Sequence, residues 1–78
     1  MNLPDDPQLA DAYQTLRRIC DPDKHTVSVD AATTPVSTET GVNSDHLKRV
    51  IFEPLRRRDY ITPRAGTLVV HPPSEVPR

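Results

Sequence analysis

TTPVSTETGVNSDHLKRVIF, residues 33–52, carries small or apolar side chains at the positions where two short helices close on each other across a tight turn. Val36 falls in the first helix, Gly41 at the turn, Val42 just after it, and Leu47 and Val50 on the inner face of the second helix. Such a turn needs a positive φ, which glycine adopts freely and a residue bearing a Cβ adopts only at a cost. Asn43 stands where a side-chain oxygen can accept one of the free N–H groups that open a helix. The stretch therefore reads as a helix-turn-helix unit, and the rest of the chain is placed around it.

Towards the C-terminus, the second of these helices is expected over about 43–58, starting at Asn43 or Ser44. Helical spacing puts Leu47, Val50, Ile51 and Leu55 on its buried face and Asp45, Lys48, Arg49, Phe52 and Arg56 on the opposite one. Pro54 lacks the N–H that would bond the Val50 carbonyl, and its ring clashes there, so a kink or an early end is expected, with Leu55 to Arg58 as a final turn. Of Arg56, Arg57 and Arg58, one must lean to the core side and keep its head in water. Phe52 has two readings. Left exposed it suits a protein partner or a second copy of the chain, and covered by a wing folded over it, it belongs to the core. Two β-type runs come next, Tyr60-Ile61-Thr62 and Thr67 to His71, around a turn at Pro63-Arg64-Ala65-Gly66, which together predict a hairpin. The tail from Pro72 has three prolines in seven residues and reads as extended or disordered, as a linker out of a larger chain would be.

Towards the N-terminus, Pro35 suits the first helical position of a short helix that ends at Gly41, with Asp30 to Thr34 a loop or an extra turn before it. Thr26-Val27-Ser28-Val29 alternates as a short strand whose valines share one face. Asp6 followed by Pro7 is a helix start, and Leu9, Ala12, Tyr13, Leu16, Ile19 and Cys20 form one apolar stripe. That helix should stop near Cys20, because Asp21 precedes Pro22 and is pushed out of the α region. Cys20, on the stripe, reads as a packing residue. Residues 1–5 read as frayed.

The order helix, strand, helix, turn, helix, hairpin predicts an α+β fold of the winged-helix class, with residues 6–71 as the domain and 60–71 as the wing. Seventy-eight residues make one small domain with little room for a deep catalytic cleft. No nucleophile, base or paired-carboxylate motif stands out, so neither enzyme activity nor a cofactor is expected. His25, His46 and His71 are scattered without Cys or carboxylates at ligand spacing, which predicts no metal site. No apolar run is long enough to span a membrane and no signal peptide is encoded, so a cytoplasmic protein with no membrane partner is expected. The single cysteine fits a reducing compartment. Net charge is −1, but it is unevenly spread. Residues 1–45 carry −5, whereas residues 46–71 carry +4 through Lys48, Arg49, Arg56, Arg57, Arg58 and Arg64 against Glu53 and Asp59. That reversal points to an anionic partner for the second half.

Phe52-Glu53-Pro54-Leu55 together with Tyr60-Ile61-Thr62-Pro63-Arg64-Ala65-Gly66 resembles the C-terminal winged-helix domain of the Holliday-junction motor RuvB, which has a Glu-Pro pair late in its third helix and a Thr-Pro-Arg-Gly wing. Here Ala65 stands between the arginine and the glycine, a second wing arginine has no counterpart, and no phosphate-binding loop precedes the match. The resemblance implies a winged helix in contact with DNA, with Arg64 as the wing arginine, and no ATPase. On this reading double-stranded DNA is the partner, in a regulatory or DNA-targeting role such as transcription regulation. The expected contacts are Asn43, Ser44, Lys48, Arg49, Arg56, Arg57 and Arg64. The competing expectation is a winged helix that binds protein, through the acidic side of its first helix or through Phe52.

Overall fold

Asp6 and Pro7 open α1 (Pro7–Ile19): the Asp6 carboxylate accepts the N–H groups of Gln8 and Leu9, at 2.8 and 3.4 Å, and the proline occupies a position whose N–H has no helical partner. The helix buries Leu9, Ala12, Tyr13 and Leu16, and ends at Cys20, whose backbone is extended. Thr15 joins the buried face with its hydroxyl satisfied by the Asp11 carbonyl at 2.8 Å. Cys20 is half-buried and packs against the core, as its place on the stripe implies. The computed structural model describes residue 4 and residues 6–72. Pro4 is buried, so fraying does not extend to it; the other residues of 1–5, and the tail expected to be extended or disordered beyond Pro72, lie outside the described residues.

Strand β1 (Thr26–Ser28) leads directly into α2 (Val29–Thr40), which starts six residues before the expected Pro35. Ser28 is the reason: its hydroxyl accepts the Ala31 N–H at 3.1 Å, and Asp30 adds a negative charge to the first turn. Pro35 lies inside the helix. The carbonyl that loses its donor is that of Ala31, an exposed residue, so water can satisfy it. Val29 belongs to this helix, and of the two valines expected to share a strand face only Val27 does so. Gly41 ends α2 at φ 73°, as the turn requires, and the Ser37 hydroxyl ties the turn down through the Val42 carbonyl at 2.6 Å.

Asn43 caps the third helical run by accepting the Asp45 N–H at 2.9 Å. The run is not a uniform α-helix. It begins as a 3-10 turn (Ser44–His46), widens into a π segment (Lys48–Phe52) in which the Glu53 N–H reaches back to the Lys48 carbonyl, and ends as α3 (Glu53–Arg57). Pro54 accounts for the widening. An extra residue in the preceding turn carries the Val50 carbonyl away from the α-helical position where the proline ring would clash with it. The chain therefore changes register where a kink or an early end was expected. The same extra residue shifts the buried face: Leu47, Ile51 and Leu55 are buried as predicted, but Phe52 joins them at 6% exposure while Val50 turns outward at 38%. Phe52 is thus core, and the reading of it as an exposed contact for a partner or a second copy is corrected.

Arg58 and Asp59 reverse the chain, Asp59 at φ 63°, into β2 (Ile61–Arg64) and β3 (Thr67–Val70). The turn is the two residues Ala65 and Gly66, at φ 45° and 82°, where four were expected; this pair of positive φ values matches the twist of a tight hairpin. Pro63 and Arg64 are strand residues paired with Leu68 and Thr67. The three strands form an antiparallel sheet in the order β1-β3-β2, so Pro63 sits on an edge strand, where a missing N–H is tolerated. Val27, Ile61, Leu68 and Val70 meet the helices across one core. Tyr13 spans that core, its ring 4.8 Å from the Tyr60 ring and its hydroxyl donating to the His71 carbonyl. Burial pushes the Tyr13 phenol pKa up.

Candidate nucleic-acid interface

The third helical run displays its cations because its apolar residues are used inward. With Leu47, Ile51, Phe52 and Leu55 in the core, Lys48, Arg49, Arg56 and Arg57 are all exposed, as are Asn43 and Ser44 at the start of the run. Asn43 spends its side-chain oxygen on the cap and keeps its amide N–H groups for other partners. Lys48 and Arg49 share a shallow depression of about 310 Å³ with Asp45 and Glu53. Lys48 and Arg56 also stand at the rim of a cleft of about 270 Å³ between the run and the hairpin, with Val29, Phe52, Pro63 and Leu68 among its lining.

Glu53 lines both depressions. Its Oε2 accepts from Arg56 twice, from Nε at 3.1 Å and from the guanidinium terminus at 2.7 Å. That hydrogen-bonded guanidinium, its charge, and more weakly Arg57 and Lys48 hold the Glu53 carboxyl below the usual carboxylate range. Arg56 is therefore partly committed within the chain. Arg58 donates to the Pro54 carbonyl at 3.1 Å and closes the helix end, so all three consecutive arginines stay exposed and none leans into the core as expected.

Arg64 is set apart from the others. Cross-strand partners share a face of the sheet. Arg64 is aligned with Thr67 and Ser28, next to the row of Thr62, Val69 and Thr26, whereas Pro63 with Leu68 and Val27 makes the row that faces the core and the cleft. Arg64 thus emerges from the outer face of the sheet. The hairpin is also short: β1 pairs with β3 as far as Thr67, and the Val29 N–H donates to the Gly66 carbonyl at 2.9 Å, holding the turn against the start of α2. The tip does not stand clear of the body as the four-residue turn would have it.

Apart from Asp45, the acidic half lies elsewhere. Asp11, Asp21, Asp23, Asp30 and Glu39 are exposed on α1, α2 and the segment between them, with Glu39 3.6 Å from Arg18. Glu53 is the residue that spacing alone overlooks, because in a regular helix a residue five positions from Lys48 falls on another face; Pro54 is the available signal for the wider turn. Among the described residues no three His, Cys, Asp or Glu side chains gather as a metal site, and no helix is long and apolar enough to cross a membrane. No family model, curated protein or solved structure matches the chain.

Proposed function

We propose that the chain is a winged-helix module that binds duplex DNA, with the third helical run in the major groove and the β2–β3 hairpin as a short wing. The observation that carries this reading is the division of the run: it buries Leu47, Ile51, Phe52 and Leu55 and turns Lys48, Arg49, Arg56 and Arg57 outward. The element order and the sheet order β1-β3-β2 supply the matching scaffold. A major groove admits a helix of this width, and lysine and arginine there contact phosphates or the guanine edge. Asn43 and Ser44 enter the groove first, and Arg64 reaches the neighbouring backbone from the sheet. The module would serve to target DNA or to regulate it.

Chemical-shift titration with a short duplex tests this. Shifts should concentrate at residues 43–49, 56, 57 and 64. Shifts confined to Asp6, Asp11, Asp21 and Asp23, on and beside α1, obtained instead with a basic protein partner, would favour the second reading, a protein-binding module; with Phe52 in the core, that acidic side is the surface left to it.

A further inference from the structure

Resting on that reading, we infer that Glu53 is a specificity determinant that makes the module prefer G·C base pairs, accepting from a cytosine amino group while Lys48 donates to the paired guanine. Three observations lead there. The π segment aligns Lys48 and Glu53, five residues apart, on one exposed side of the run, where both line the same depression with Asp45 and Arg49. Both Arg56 donors converge on Oε2 of Glu53, which fixes the carboxylate and leaves Oε1 with no hydrogen-bond partner among the described residues. The hydrogen bonds and cationic neighbours that lower the Glu53 pKa keep the group an anion, able only to accept.

A carboxylate in the middle of a phosphate-binding surface opposes non-specific binding, because every phosphate repels it. It is compensated where a base presents a donor. In the major groove the G·C pair shows guanine N7 and O6 as acceptors beside the cytosine N4 donor, and carboxylates pair with cytosine as lysine and arginine pair with guanine. An adjacent cation and carboxylate complement that edge. A run of cations that met only phosphates would bind any duplex equally. Arg56 is a positioning residue here, holding the carboxylate that reads the base.

The test measures fluorescence anisotropy of the full chain with short duplexes of equal length and charge, one G·C-rich and one A·T-rich, for the wild type, Glu53→Gln and Glu53→Ala, with thermal melts to verify folding. The wild type should prefer the G·C-rich duplex by about fivefold or more, the lower end of one good base contact. Glu53→Gln should bind both duplexes more tightly and shift its preference towards A·T, since glutamine matches adenine N6 and N7. Glu53→Ala should weaken the preference while retaining binding, since Lys48 keeps its contact with guanine. Equal wild-type affinity for both duplexes, or an unchanged preference in both variants, overturns the inference and leaves DNA binding standing. No binding of the wild type to either duplex at low salt overturns both.

Discussion

α1 and the third helical run bury similar side chains against the same core, yet they are built differently. α1 is a regular helix of 13 residues with a side-chain cap and a proline placed where it does no harm. The third run passes through 3-10, π and α geometry within residues 44–57, and its proline sits where it forces a change of register. The difference shows in what each presents to solvent. Regular spacing in α1 separates one apolar stripe from a mixed surface. The π turn in the third run pulls Phe52 inward, lets Val50 out, and lines up Lys48 with Glu53.

The largest effects are expected from cutting the core beneath each of the two helices. Leu16→Ala in α1 and Leu55→Ala in the third run each remove a fully buried side chain and should cost about 3 kcal/mol in denaturant unfolding. Val50→Ala should stay within about 0.5 kcal/mol, because that side chain is already exposed. If Val50→Ala cost as much as Leu55→Ala, the run would be an ordinary helix and its shifted register would be wrong.

Val50 also marks where the sequence stopped being legible. Asp6-Pro7, Gly41 and Asn43 were readable because each acts through its own backbone neighbours: a cap, a positive φ, a cap again. The segregation of charge was readable for the same reason, being a property of the chain alone. Phe52 and Val50 exchanged roles because regular spacing was carried through a turn that Pro54 had widened. Pro35 misled in the opposite direction, since Ser28 supplies a cap further upstream and the exposed Ala31 carbonyl tolerates the loss of its donor. The outward face of Arg64 depends on pairing with β3 across the sheet, which no local pattern reveals.

A smaller effect is expected where the two helix ends differ. α1 ends in extended backbone at Cys20, but α2 reaches the third run through Gly41 at positive φ. Gly41→Ala should cost about 1 kcal/mol by thermal or denaturant unfolding, all of it backbone, because among the described residues nothing beyond its chain neighbours lies within 4 Å of the added Cβ. Tyr13→Phe should cost about as much, through the lost hydrogen bond to the His71 carbonyl. The Tyr13 phenol has a raised folded-state pKa, so its contribution is complete below an ordinary tyrosine pKa of about 10 and is lost as pH rises through the folded value. The wild type should therefore lose stability above that pH more steeply than Tyr13→Phe, as unfolding series at alkaline pH will show.

A change in stability below about 1 kcal/mol is expected from Pro54→Ala, which restores the donor facing Val50. Circular dichroism should show more α-helix. An unchanged spectrum would assign the π turn to packing and not to the proline. Pro7→Ala, at a position with no bond to restore, should leave the spectrum of α1 alone.

If the cations of the third run meet DNA, duplex binding must weaken steeply with salt. For about four phosphate contacts, log K should fall against log salt with a slope near −3.6. A flat salt response, or no binding at low salt, would contradict the claim.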